Sequence, residues 1–497
     1  MVITHKPLKV HDMKKYILML FIIPLAVACT KDKGSYNYTE LNELTISNME
    51  DSYRIEQFTS LKISPVITGN MGFNPEDYDY LWFTYQYNTN RDISDTLSRE
   101  KELNTDIAIA TGVYQLVFRA TEKATGILYT QECSITVVNS FTGGLLALSN
   151  VNGDANVTFI NTAYTVIEDA FQRVNGRVAG KNPRRIQFPN SMLQSYLPVY
   201  IFNDDEVGGV IVNRLDYSYQ RDFREAFHFP PEVIKPQNIG HGAYGNNDYI
   251  CNDGDIHVRD LQVNPMPRFG IRVEGDYKVA PFTFMNTIGT SFCFFYDMKN
   301  QRFIYMNFPL DLSNTKTTFQ LESDYSAYEF DPKNVGMDML WGDALGAGVT
   351  TISQGRAVMQ NAAGERYMFS FDLNNRTLTP DKKWKIEHPG IAQARSFTSV
   401  HPGNFLYYAY ENKIVCISFS TNNLLAVYEF PAGTQIDHIE GGDFARRTQM
   451  WVATSNGSKA KNSGSIHYMT PSTDGSLTLD RSFPNVCGQV VDFEYKP

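Results

Sequence analysis

Hydrophobic and polar residues alternate in short runs along most of this chain, and Gly, Asn and Asp close the runs. The clearest example is Gly112-Val113-Tyr114-Gln115-Leu116-Val117-Phe118-Arg119-Ala120. A turn at Ala124-Thr125-Gly126 follows, then Ile127-Leu128-Tyr129 and Ser134-Ile135-Thr136-Val137-Val138. A period of two puts successive side chains on opposite faces of a strand, so these runs predict β-strands. Over residues 36–140 they amount to an immunoglobulin-like sandwich, with Trp82 in the strand Tyr80–Tyr85 plugging the gap between the sheets.

The pattern changes after residue 140. Gly143-Gly144-Leu145-Leu146-Ala147-Leu148-Ser149 opens a new apolar strand, and strand pairs joined by Asp/Asn/Gly turns recur from there. Val199–Phe202 with Gly209–Val212 is one pair, and Tyr249–Cys251 with Asp255–Val258 another. Phe294–Asp297 before Arg302–Tyr305 resembles Met368–Asp372 before Arg376–Leu378. Phe405–Tyr408 with Ile414–Ile417 and Met450–Ala453 with Ser465–Tyr468 complete the series. About seven clusters at a spacing of about 45 residues are what a propeller of four-stranded blades requires. The fold predicted is all-β: a sandwich over 36–140, then a β-propeller-like domain of about seven blades over 141–497. Two further sandwiches are the competing architecture. Thr165–Val174 is the one helix-like stretch, with Ile167, Ala170, Phe171 and Val174 on one face. The link Asn139–Thr142 is expected to be exposed, as inter-domain links are.

The first residues alter the picture of where the chain resides. Lys14 and Lys15 precede an apolar run, Ile17–Ala28, broken only by Pro24, and small residues then lead to Cys29. Charge, a short apolar stretch and small residues form a secretory signal peptide, too short to span a bilayer, which needs about 20 residues. Met13 starts a better signal than Met1. The stretch resembles a bacterial lipobox, which implies removal of residues 1–28 and acylation of Cys29; Ala26 stands where that pattern prefers Leu. An ordinary signal peptide cut after Ala28 is the alternative. Residues 29–35 are polar and suit a tether, and multiple acyl chains would anchor it to a lipid bilayer.

Removing residues 1–28 leaves 40 basic and 53 acidic residues and a net charge of −13. With no basic stripe, nucleic acid is not an expected partner. Aromatic residues reach 13%, with 29 Tyr and 32 Phe, an enrichment that favours packed strands. The cysteines other than Cys29 lie in apolar strand contexts and are expected to be buried packing residues.

The Gly-x-Tyr-x-Leu-x-Phe-x-Ala-Thr run at Gly112–Thr121, with its turn and closing strand, resembles the end of a PKD-type domain. The Gly-Asp-Gly that usually follows the Trp strand is replaced by Gln86-Tyr87-Asn88. Together with Tyr36-Asn37-Tyr38-Thr39-Glu40-Leu41-Asn42-Glu43, the segment from 29 to about 160 resembles PKD-like family lipoproteins of Bacteroidetes. That resemblance implies a lipid-anchored outer-membrane protein at the cell surface, accessory to a SusC/SusD-type importer and engaged in nutrient uptake of oligopeptides or glycans.

No residue pattern points to catalysis. The chain has no Gly-x-Ser-x-Gly elbow, no His-Glu-x-x-His, no phosphate loop and no dinucleotide fingerprint. The histidines lie singly, and no metal site is expected of them. Asn203–Glu206, Asn252–Asp255 and Asp77–Asp79 are rich in oxygen ligands such as calcium takes. Asp, Asn and Gly are also what tight turns demand, and the turn is the reading preferred here. The candidate ligand-binding residues are Trp341, Asp343, Tyr244 and Trp384. In Trp341-Gly342-Asp343 a flat ring, a flexible residue and an acceptor adjoin; the plainer reading of both tryptophans is that they plug blade cores. The expected function is non-catalytic capture. A lipid-anchored propeller glycosidase or lyase is the alternative, and a carboxylate pair lining the channel would favour it.

Overall fold

The computed structural model describes residues 41–86, 95–188, 198–241, 247–260, 268–285, 292–307, 319–321, 323–346, 353–374, 377–400, 404–442 and 449–496. Residues 1–28 and 29–35, expected to be a signal peptide and a tether, lie outside these residues with Cys29 and Tyr244. No helix among the described residues is long and apolar enough to cross a membrane.

The N-terminal strands form a sandwich. One sheet has five strands in the order Ser52–Glu56, Leu128–Val138, Gly112–Glu122, Tyr78–Tyr85, Asp95–Ser98. Two short pairs, Leu44–Ser47 with Val66–Gly69 and Ser60–Ile63 with Leu103–Asp106, cover its inner face. Alternation along Gly112–Glu122 sends Tyr114, Leu116 and Phe118 into one core with Leu61, Ile63 and Leu103. Trp82 fills the middle of it, fully buried against Phe118 at 4.7 Å, with its indole N–H donating to the Lys101 carbonyl at 3.3 Å.

Among the described residues, the remaining strands form seven sheets arranged as the blades of a propeller. Their inner strands are Gln489–Lys496 (blade 1), Pro183–Gln187 (blade 2), Pro236–His241 (blade 3), Val279–Met285 (blade 4), Asp338–Gly346 (blade 5), Ser396–Val400 (blade 6) and Gln435–Gly441 (blade 7). Each touches the next, and blade 7 touches blade 1, so the ring is closed. Closure is made by the last strand: Gln489–Lys496 pairs antiparallel with Gly144–Val151, the first strand after the sandwich. The hairpins read from the sequence are all present as paired strands within blades 2 to 7.

Side chains tie neighbouring inner strands together. The Ile186 N–H donates to Asp492 (2.9 Å) between blades 1 and 2, and the Ile239 N–H donates to Gln187 (2.7 Å) between blades 2 and 3. Asn238 donates to Thr283 (3.0 Å), and Ser399 donates to Asp343 (2.7 Å). The Ile439 N–H donates to Ser396 (3.0 Å) and the Gly441 N–H to Thr398 (2.8 Å). Short inner strands have few neighbours of their own, so the four links from backbone N–H groups satisfy donors that would otherwise be stranded.

Two expectations need correction. The stretch Thr165–Val174 is not one helix. Val166 and Ile167 pair with Ile160 and Phe159 as the outermost strand of blade 1, and the helix is confined to Ala170–Asn175. Asp169, at φ 53°, makes the break, and Gly176, at φ 69°, ends the helix. Pairing with a neighbouring strand outweighs local helix preference here. The link at Asn139–Thr142 is exposed only at Thr142. Ser140 and Phe141 are buried, the Phe141 ring lying 5.3 Å from Phe159 and 5.1 Å from Tyr217. Phe58 of the sandwich, at φ 65°, packs into the same cluster beside Phe141 at 5.9 Å. Asn161 donates to Glu56 (2.7 Å) and Arg173 pairs with Asp106 (3.2 Å) across the same border. Lys496 donates to the carbonyls of Phe141 and Arg214, fixing the link to the final strand.

Candidate functional site

The inner strands surround a cavity of about 550 Å³ at one mouth of the central channel. That volume lies in the range of small-molecule sites. An inner strand shows alternate side chains to the channel, so a blade contributes one or two groups there. Arg184, Arg185, Lys235 and Arg395 bring positive charge, and Asp204, Asp253, Asp343, Glu440 and Asp492 bring negative charge. Trp341, Phe282 and Phe397 supply apolar area.

The charges are not scattered evenly. Arg185 reaches across the mouth, with its guanidinium 3.9 Å from Asp492 of blade 1 and donating to the Pro281 carbonyl of blade 4 at 3.2 Å. On the opposite flank of Asp492 stands His438, its Nε2 3.6 Å from Asp492 and 3.5 Å from Glu440. One ligand-type atom from each of His438, Glu440 and Asp492 lies within 4.8 Å of the others. His438 and Glu440 occupy positions i and i+2 of blade 7's inner strand and so share a face. Blade closure brings Asp492 beside them.

Burial governs the electrostatics. It pushes the Asp492 carboxyl up to about 6, with Arg185 and His438 opposing. It also raises Asp343, which the Ser399 hydroxyl partly offsets. For His438 burial works downward, but contact with Glu440 and the charge of Asp492 outweigh it and leave the imidazole above its ordinary value.

Of the sequence candidates, Trp341 and Asp343 lie on the cavity wall. They stand on a strand rather than in a loop, Trp341 just after a register shift at Met339. Gly342 between them is required by close packing: a Cβ there would stand 2.6 Å from the Phe284 ring of blade 4. Trp384 is elsewhere, in blade 5's outer strand Thr377–Lys385, packed with Trp341 against the core between blades 5 and 6. Two of the oxygen-rich segments are turns with carboxylates engaged: Asp205 accepts from the Val207 and Gly209 N–H groups, and Asp255, at the start of a strand, pairs with Arg272 (2.8 Å) and Lys278 (3.2 Å). The third is not a turn: Asp77 ends a 3-10 helix and Asp79 lies in the strand Tyr78–Tyr85, 3.7 Å from Lys123. The five described cysteines are free and buried. Sequence reasoning missed His438, Glu440 and Asp492. The available signal was a charged residue at alternate positions, His438-x-Glu440 and Asp492-x-Glu494, inside strands that otherwise read as buried.

Residues 29–183 match the model of the PKD-like family. The match covers the sandwich and the blade 1 strands between Gly144 and Ile167, and ends at Pro183, the first residue of blade 2's inner strand. No curated protein matches the chain. Among solved structures, a quinonprotein alcohol dehydrogenase-like protein from Bacteroides thetaiotaomicron aligns with 90% of this chain and 100% of its own, at 14% identity and a TM-score of 0.45. A putative 6-phosphogluconolactonase from Bacteroides uniformis aligns with 71% of this chain and 99% of its own, at 11% identity and a TM-score of 0.47.

Proposed function

We propose that this protein is a capture module whose channel mouth binds short oligopeptides. The observation that carries this reading is the mixed charge of the cavity: exposed Lys235 and Arg395 on its rim, and Asp343, Glu440 and Asp492 within it. A zwitterionic chain offers a carboxylate to the first set and an amine to the second, while a neutral glycan uses neither. Trp341 and Phe397 supply the apolar contact that anchors side chains. In the wider proposal the lipidated Cys29 holds the protein on the outer membrane beside a SusC/SusD-type importer. That part rests on the lipobox and the PKD-like resemblance. Calorimetry of the full chain against an oligopeptide mixture and against neutral oligosaccharides tests the ligand class. Heat of binding with the oligosaccharides alone would overturn it. Cys29→Ser is expected to release the protein from membranes on mild washing.

One observation favours the enzymatic alternative. Glu440 and Asp492 are a carboxylate pair on the channel wall, the feature a glycosidase requires. The imidazole of His438 stands between them at 3.5 and 3.6 Å, in the space a sugar ring would need. Capture is therefore the reading preferred. Hydrolysis of an oligosaccharide by the wild type, abolished in Glu440→Gln, would reverse that preference.

A further inference from the structure

We infer that His438, Glu440 and Asp492 form a binding site for a divalent transition-metal ion of the zinc type, with one coordination position open to the cavity. This goes beyond ligand capture and stands without it.

Zinc held by imidazole nitrogen and carboxylate oxygen at 2.0–2.2 Å in tetrahedral array spaces its ligand atoms about 3.4 Å apart. His438 Nε2 lies 3.5 Å from Glu440 Oε2 and 3.6 Å from Asp492 Oδ1. Those separations are at or beyond the limit of a hydrogen bond and close to tetrahedral edges. The two carboxylates come within 4.8 Å of each other, so a small closure about a common ion completes the triangle.

His438 Nε2 is a buried nitrogen with no hydrogen-bond partner. Its ring is oriented from behind: Nδ1 contacts the Ser396 hydroxyl at 3.4 Å. That hydroxyl already accepts the Ile439 N–H at 3.0 Å and donates to the Ile439 carbonyl at 3.4 Å. It can therefore accept a proton from Nδ1, the tautomer in which Nε2 is free to take an ion in place of a proton. A second partner fixing the far nitrogen is the usual support of a metal-bound histidine. Asp492 is prepared in the same way. Its Oδ2 faces the Ile186 N–H (2.9 Å) and Arg185 (3.9 Å), and its Oδ1 faces His438.

The donor set selects the ion. Calcium and magnesium take six or more oxygens, whereas one imidazole and two carboxylates suit zinc and its first-row neighbours. Three protein ligands with a fourth position on a cavity is the open arrangement, in which water or a ligand oxygen completes the shell. The described cysteines, being buried in blade and sandwich cores, do not compete.

The test uses tag-free full-length protein, stripped with a chelator and titrated with Zn²⁺ alone, with bound metal counted by mass spectrometry. One zinc per chain is expected, and Co²⁺ in its place should give the intense visible absorption of a four-coordinate ion. His438→Ala, Glu440→Gln and Asp492→Asn should each abolish stoichiometric binding, and Ser396→Ala should weaken it by about 10–100-fold. The two isosteric acid variants decide the matter should His438→Ala fail to fold. Absence of stoichiometric zinc in the wild type, or zinc binding unchanged in the acid variants, would overturn the inference. Because no organic ligand is present, either result leaves the peptide measurement independent.

Discussion

The sandwich and the propeller are both built from aromatic-rich strands, but they treat charge differently. Among the described residues, the sandwich strands bury one polar side chain, Thr84, and no charged one. The propeller buries Asp248, Arg259, Asp297, Arg356, His467 and Lys496, and collects more charge around its channel. Arg259 and Asp248 form a pair that also engages Tyr200, whose hydroxyl accepts from Arg259 at 2.6 Å. Buried charge costs several kcal/mol of desolvation per ion unless it is paired. A fold that only has to hold its shape has no need of it. On the function proposed above, the sandwich is a spacer with an apolar core and the propeller carries the site.

Breaking the sandwich core should give the largest effect. Trp82→Ala removes a fully buried ring from the centre of that core and should cost about 3–5 kcal/mol. Chemical denaturation should show an earlier transition. Peptide binding measured below that transition should be unchanged if the propeller alone carries the site.

Acid should separate the two domains next. Burial lowers His467 to about 4, where its ring is held between Thr454 (2.8 Å) and Ser482 (2.9 Å). An unfolded imidazole takes a proton near pH 6.5, and the folded one only near 4. As the pH falls through that window the unfolded state binds the extra proton, so stability present above pH 6.5 is lost, by about 3 kcal/mol. The difference in stability between wild type and His467→Gln, measured from pH 7 to 4, isolates this group. A flat difference would contradict its burial in the neutral form. Residues 41–140 contain no histidine, so the sandwich has no matching response.

The two tryptophans of blade 5 give the smallest and most specific contrast. Trp341→Ala should weaken peptide binding by about 2 kcal/mol, the loss of one aromatic anchor. Trp384→Ala should lower thermal stability and leave binding unchanged, since that ring only packs between blades 5 and 6. Unchanged binding in Trp341→Ala would place that ring outside the site.

These contrasts follow how far the sequence could be read. Period-two runs and their turns reveal local hairpins, so Phe292–Asp297 with Arg302–Asn307 was legible from residues alone. Blade 1 was not, because its inner strand comes from the opposite end of the chain and pairs with Gly144–Val151. Val166–Ile167 was also hidden: two residues carry no period, and their pairing partner decides their state. The site divides in the same way. Trp341-Gly342-Asp343 is contiguous and could be picked out, whereas His438, Glu440 and Asp492 meet only once the ring has closed. Trp384 looked like Trp341 in sequence because composition does not separate an inner strand from an outer one.

The central claim is that the charged channel mouth binds a zwitterionic chain. Arg395 and Lys235 are exposed on its rim, so Arg395→Gln with Lys235→Gln can be made without disturbing the core. The measurement is calorimetric affinity for an oligopeptide mixture, wild type against this double variant, at low and high salt. The account predicts a binding loss of tenfold or more in the variant at low salt, shrinking as salt screens the rim charges. Equal affinity in both proteins at low salt, or no peptide binding by the wild type, would contradict it.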